Sequence, residues 1–318
     1  MSVVDGGIHR TSQQLGVVIL YQKQNFNLDL VTTLIFSGGG NRCWWQAGFV
    51  DELINQGWAL PKDIIGCSAG AAVAASLISE STEKALKACK RLYADNPSLI
   101  RYQKGGLGLP VGFAQQKIYP NWLKSFLGEA EFAKIRSFGR FRVTASRLDT
   151  PSLKLLAITR AIFRHLRGKN FIVAGQREYA QKIAGLSQVF LEPTLFRSLH
   201  DALTALEATA AASPFIFGRK IAGKLHFDGG YISPIPVTAK ELIDSNVTSD
   251  IDESSSTLTL LTRHFETKPM LFSHYGKRFI QPSRKIPVST WGCTADTTVD
   301  DAFDLGQTDA RHFIEKNR

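Results

Sequence analysis

Two rhythms of apolar and polar residues alternate in the first third of the chain. The unbroken apolar runs Leu34-Ile35-Phe36 and Ile64-Ile65 read as buried strands. A glycine-rich turn follows each, and then apolar residues at helical spacing. From Cys43, the residues Trp44, Trp45, Ala47, Phe49, Val50, Leu53 and Ile54 make one apolar face ending near Gly57, which predicts a crossover helix. Ala69 to Ile78 is a run of small and apolar residues, suited to a helix packed tightly at the centre. The repeated order strand, turn, helix places both turns at the same edge of a parallel sheet.

Further along, the patterns predict helices over Glu83 to Tyr93, Tyr119 to Leu127, Leu195 to Ala212, Val237 to Ile243 and Asp301 to Lys316. Strands are expected over Phe141 to Ala145, Leu153 to Thr159, Lys224 to Phe227 and Thr257 to His264. Gly16 to Tyr21 reads as an extra edge strand or hairpin. Gly105 to Gly112 reads as a surface connection, and the acidic, serine-rich stretch Asp244 to Thr257 as an exposed loop. No linker composition interrupts the middle. The expected organisation is an N-terminal extension over 1–30 and one catalytic domain over 31–318.

Composition narrows the class. With 44% hydrophobic and 21% charged residues, the chain can bury a sizeable core, which excludes disorder. Cys43, Cys67, Cys89 and Cys293 have irregular spacings that fit neither a metal site nor a disulfide framework, as expected in a reducing compartment. Met1 to Leu15 has no apolar signal region, and the longest nearly apolar run, Ala69 to Ile78, is too short to span a bilayer. A cytoplasmic protein, peripheral at a membrane, is the expectation.

The net charge of +10 raises affinity for anionic surfaces without choosing between bilayer and nucleic acid. No nucleic-acid-binding motif is present, so none is expected as a partner. Between Lys154 and Lys182, the cations Arg160, Arg164, Arg167, Lys169 and Arg177 are interleaved with Ile162, Phe163, Leu166, Phe171 and Ile172. Such a segment suits an anionic membrane, or else a solvated face whose apolar residues turn inward.

The chemistry lies in the turns. Gly66-Cys67-Ser68-Ala69-Gly70 has the form G-x-S-x-G at a strand-to-helix junction, where flanking side chains would collide and the serine hydroxyl is pushed into the open. Ser68 is the candidate nucleophile, placed at a helix N-terminus that favours developing negative charge. Gly38-Gly39-Gly40 can bring backbone N–H groups close to a ligand and form an oxyanion hole. Downstream, Phe227-Asp228-Gly229-Gly230 sets a carboxylate at a strand end, where Asp228 is the candidate general base.

Together these three pieces resemble the patatin-like phospholipase family of lipid acyl hydrolases. The resemblance runs from about Leu34 to about Ala239 and includes Ala211-Ala212-Ser213-Pro214-Phe215. Cys43 departs from it, standing where the family usually has a glycine after the arginine matched by Arg42. What the resemblance implies is a three-layer α/β/α fold around a mostly parallel sheet, and a Ser68–Asp228 dyad. It implies hydrolysis of fatty-acyl esters of phospholipids with no metal or organic cofactor. Arg42, Gly66, Gly70, Gly229 and Gly230 take supporting places, Arg42 by stabilising the glycine loop or by meeting a substrate phosphate.

Other readings remain. His226 lies two residues from Asp228 on a predicted strand, hence on the same face, and is the rival base. His264 or His274 would serve a general α/β-hydrolase, which leaves Asp-Gly-Gly unexplained. The same site also suits soluble esters or thioesters, and a silent lipid-binding relative would share the motifs.

Overall fold

The computed structural model describes residues 26–102, 111–153, 159, 185–236, 256–274 and 277–317. The chain enters with β1 (Thr33–Phe36), the glycine loop and α1 (Cys43–Asn55). Then come β2 (Asp63–Cys67), Ser68, α2 (Ala69–Ile78) and α3 (Thr82–Ala94). A small ribbon of β3 (Ile100–Tyr102) and β4 (Val111–Phe113) stands apart from the main sheet. After α4 (Gln115–Phe126) and α5 (Glu129–Ser137), the sheet resumes with β5 (Arg140–Leu148) and β6 (Leu186–Leu191). The remaining elements are α6 (Leu199–Thr209), β7 (Arg219–Ile221), β8 (Lys224–Asp228), β9 (Thr257–Leu260), β10 (Leu271–His274), β11 (Lys277–Ile280) and α7 (Val299–Asn317).

The main sheet runs β10-β11-β9-β1-β2-β5-β8-β7, with β6 also paired to β5. Its centre, from β11 through β9, β1 and β2 to β5, is parallel, and antiparallel pairs close both ends. Helices lie on both sides, so the central strands are buried on both faces, which is why Leu34, Ile35, Phe36, Ile64 and Ile65 are all apolar and sealed from solvent. The α/β/α architecture expected from the motifs is the one observed.

Two close approaches hold the site's scaffold. A side chain at Gly66 would put its Cβ 2.4 Å from the Ala71 Cα, so the small residues of α2 let that helix lie directly on β2. On α1, a Cβ at Gly48 would come within 2.0 Å of the Phe303 carbonyl oxygen, and one at Gly306 within 2.2 Å of the Trp45 carbonyl oxygen. Helices α1 and α7 therefore cross at backbone contact. The Trp45 indole N–H donates to Asp309 at 2.8 Å across that crossing. Trp44 and Trp45 are core residues.

Several expected boundaries move. The helix expected over Leu195 to Ala212 is shorter, because the Ser198 side chain caps α6 and the chain leaves it after Thr209. The Ala211 carbonyl then accepts the Asp228 N–H at 3.1 Å. Helix α4 begins at Gln115, four residues earlier than its apolar spacing suggests, and carries Pro120 inside it. The strand expected over Thr257 to His264 stops at Leu260, where the chain turns toward the glycine loop. Leu153 closes a 3-10 turn, Pro151–Leu153, where a strand was expected to begin. Gly16 to Tyr21, most of Gly105 to Gly112, most of the basic segment over Lys154 to Lys182, the helix over Val237 to Ile243 and nearly all of Asp244 to Thr257 lie outside the described residues. Among the described residues, no helix is long and apolar enough to cross a membrane.

Candidate active site

Strand β5 acts as the ruler that brings Ser68 and Asp228 together. A strand has two edges, and β6 occupies one edge of β5 from Val143 to Leu148. Along the other, β2 pairs parallel with Arg140 to Thr144, and β8 pairs antiparallel with Ala145 to Arg147. The strands β2 and β8 thus meet end to end. Cys67 faces Thr144 and Asp228 faces the next residue, Ala145.

Ser68 sits on the bend with φ 55° and ψ −136°, a left-handed conformation that strains any side-chain-bearing residue by about 1–3 kcal/mol. The strain is held by its surroundings. The Ser68 N–H donates to Thr209 Oγ1 at 2.9 Å, and the Thr209 hydroxyl donates in turn to the Thr144 carbonyl at 2.5 Å. A Cβ at Gly70 would fall 2.5 Å from the Ser37 carbonyl oxygen, which explains the second small residue of the elbow. Although Ser68 stands at the N-cap of α2, its hydroxyl does not cap the helix. It donates to Asp228 Oδ2 at 2.6 Å instead.

Asp228 is buried, and its other oxygen accepts the Gly230 N–H at 2.7 Å. Its backbone is fixed as well, since the Ser146 hydroxyl donates to its carbonyl at 2.8 Å. Gly229 lies against the Thr144 carbonyl, where a Cβ would come within 2.5 Å. Burial pushes the Asp228 carboxyl up to about 6, and the hydrogen bonds from Ser68 and Gly230 pull against that rise. A carboxyl so placed is half-ionised near pH 6 and is able to receive a proton above it.

The glycine loop lies over this pair. A Cβ on Gly38 would approach the Ser68 Cβ to 3.3 Å. The Gly38 N–H is already given to the Pro234 carbonyl at 2.8 Å, and its own carbonyl accepts from the Thr262 hydroxyl at 2.9 Å. Of the three glycines read as donors, Gly39 and Gly40 are those whose N–H groups are not committed in this way. Arg42 donates its Nε–H to the Gly39 carbonyl at 3.2 Å. Cys43, in the place of the family's glycine, is buried with its thiol 3.6 Å from the Ser37 carbonyl oxygen, so the loop accommodates it inside the core.

A cavity of about 380 Å³, walled mostly by apolar groups, holds Ser68, Asp228 and the glycine loop together. Arg42 and Arg263 also border it. None of His226, His264 and His274 does. His226 turns Nδ1 to the Lys224 carbonyl at 2.9 Å, and burial lowers its pKa, so the serine's hydrogen bond goes to the carboxylate rather than to a histidine. Cys67, beside Ser68, is fully buried, and burial raises its thiol's pKa well above the ordinary value.

Sequence patterns did not point to Thr209, Asn41 or Trp291, all of which build the site. Thr209 ends an ordinary amphipathic helix, and Asn41 occupies the unspecified place in the glycine motif. Trp291 comes from a proline-punctuated stretch with no periodicity.

Comparison with known proteins bears on the whole arrangement. A family model described as patatin-like phospholipase matches residues 34–239. Among curated protein sequences, none matches the chain. Among solved structures, the crystal structure of VipD from Legionella pneumophila is similar at 9% identity, covering 90% of this chain and 67% of that one with a TM-score of 0.36. Since the family model spans more than half of its length and includes both turns and the aspartate, the chain belongs to the patatin-like phospholipase family and is, in general terms, a lipid acyl hydrolase.

Proposed function

We propose that this hydrolase cleaves fatty-acyl esters of glycerophospholipids through a Ser68–Asp228 dyad. The observation that carries the reading is the 2.6 Å hydrogen bond from the Ser68 hydroxyl to Asp228 Oδ2, made at the wall of a largely apolar cavity. Ser68 Oγ attacks the ester carbonyl as its proton passes to Asp228. Negative charge develops on the carbonyl oxygen, where the Gly39 and Gly40 N–H groups stabilise it. Collapse expels the alcohol, which leaves with the proton from Asp228. Water then gives a proton to Asp228 and attacks the acyl-enzyme, and the returning proton restores the Ser68 hydroxyl.

A phospholipid substrate is supported by the description of the matched family and by two arginines, Arg42 and Arg263, that border the cavity. The net charge of +10 supports docking on an anionic lipid surface. The test is release of free fatty acid from mixed anionic and zwitterionic phospholipid micelles. The intact protein should release it, and Ser68→Ala and Asp228→Asn should not. Unchanged hydrolysis by Ser68→Ala would sink the mechanism. A preference for monomeric soluble esters over micelles would replace phospholipids with a soluble ester or thioester.

A further inference from the structure

Two cavities touch Ser68, and the partition between them comes largely from the C-terminal part of the chain. The larger is the apolar space that holds Ser68 and Asp228. The smaller, about 40 Å³, lies among Trp44, Tyr93, Tyr119 and Trp122 and has room for a few waters or methylene groups. Among the described residues, four border both: Gly40, Ser68, Thr290 and Trp291. Only Trp291 among them has a large side chain.

That side chain is held at its face and at its root. The indole stacks flat on Phe215, with ring centroids 4.6 Å apart and planes at 6°, and Phe215 in turn packs on Phe113 at 4.7 Å. At the root, Asn41 Nδ2 donates to the carbonyls of Ser289 at 2.9 Å and Gly292 at 2.7 Å. The Asn41 backbone N–H donates to the Thr290 carbonyl at 3.2 Å, and its Oδ1 accepts from the Tyr93 hydroxyl at 2.7 Å. Asn96 Nδ2 holds the Cys293 carbonyl at 2.6 Å. The loop carrying Trp291 is therefore tied to the residue that immediately follows the three glycines.

A wall fixed in this manner limits the length of what lies against it. We propose that Trp291 sets the acyl-chain length accepted at Ser68, confining the chain to the larger cavity and closing the smaller one to it. The inference rests on Ser68 being the nucleophile that accepts the acyl group. A cavity of 380 Å³ is near the small end for ligand sites, which suits a short or medium chain better than a long one. Trp291 lies outside the residues 34–239 that the family model matches, so this limit belongs to the chain's own C-terminal segment.

The test is the chain-length profile of kcat/KM for p-nitrophenyl esters from acetyl to palmitoyl, measured on the full chain, Trp291→Phe and Trp291→Ala. Opening the partition should move the optimum to longer chains in Trp291→Ala, with the ratio of long-chain to short-chain kcat/KM rising about tenfold or more. Trp291→Phe, which keeps an aromatic face for Phe215, should fall between. Alkyl fluorophosphonates of the same lengths, timed for labelling of Ser68, give a second readout that needs no turnover. Should Trp291→Ala fail to fold, Trp291→Phe carries the comparison. An unchanged profile in a variant that still labels at Ser68 overturns the role of Trp291 and leaves the nucleophile assignment standing. No labelling of Ser68 in the intact protein overturns both.

Discussion

Residues 33–78 and residues 257–317 meet at the same cavity and are built by different means. In the first region the close approaches that shape the elbow lie within the region itself. Gly66 lies on Ala71 and Gly70 lies on the Ser37 carbonyl, so the turns pack on their own neighbours. In the second region the decisive contacts are remote. The Asn41 amide reaches Ser289 and Gly292, Gly306 lies on the Trp45 carbonyl, and Asp309 accepts from both the Trp45 indole and the Ser283 N–H. The first region supplies Ser68 and the glycine loop, whereas the second shapes and clamps the space around them. Reactive groups can be encoded in a short turn, but the size of a substrate's container is encoded in packing between distant segments.

The comparison can be broken most severely at Ser68. Ser68→Ala should lower kcat by about a thousandfold or more, because a nucleophile and its base act as one unit. Asp228→Asn should do comparable damage to rate while moving stability the other way. The folded pKa of about 6 lies above the ordinary carboxyl value of 3.8. Stability attached to this group is therefore fully present below about pH 4 and is lost as pH rises through about 6. At pH 7 the ionised, buried carboxylate costs about 2–3 kcal/mol, and Asp228→Asn should recover much of it as a raised unfolding midpoint in urea. A fall in that midpoint would show that the carboxylate stabilises the fold.

The same pKa predicts the acid limb of activity. The base must be ionised, so kcat/KM should rise with pH through about 6 and then level, as read from initial rates across pH. A limb near pH 4 would mean that burial does not govern this group. Thr209→Val removes the acceptor for the Ser68 N–H at the elbow, and leaving that donor buried should cost about 1–3 kcal/mol. The loss should appear in activity as well as in denaturation. Gly306→Ala acts away from the cavity, at the crossing of α1 and α7, where its Cβ meets the Trp45 carbonyl. It should destabilise by about 1–3 kcal/mol and leave the rate per labelled Ser68 close to that of the intact protein.

Much of the near region was legible because its rules are local. Buried strands read as apolar runs, and collision at an elbow demands small residues, so Ser68 and the three glycines could be placed from a few neighbouring letters. Asp228 was legible as a strand end before two glycines, but its approach to Ser68 depends on β5, whose registers leave no local signature. Thr209 and Trp291 were not legible at all. Each acts through one bond or one stack to a segment far along the chain, and no periodicity reports such a contact. The short strands β6, β7, β10 and β11 were missed for a related reason, since strands of a few residues take their identity from the partners they pair with.

The end-to-end meeting of β2 and β8 on one edge of β5 has a consequence for how this chain can change. The distance between Ser68 and Asp228 is set by ladder spacing, not by the length of polypeptide joining them. Connections between residues 68 and 228 that lie off that ladder and carry no residue of the site can lengthen or shorten without moving Ser68 or Asp228. A slip of a single residue in β8 would instead turn Asp228 to the opposite face of the sheet and abolish the pair. Changes of length are thus tolerated in those connections and forbidden at the joint.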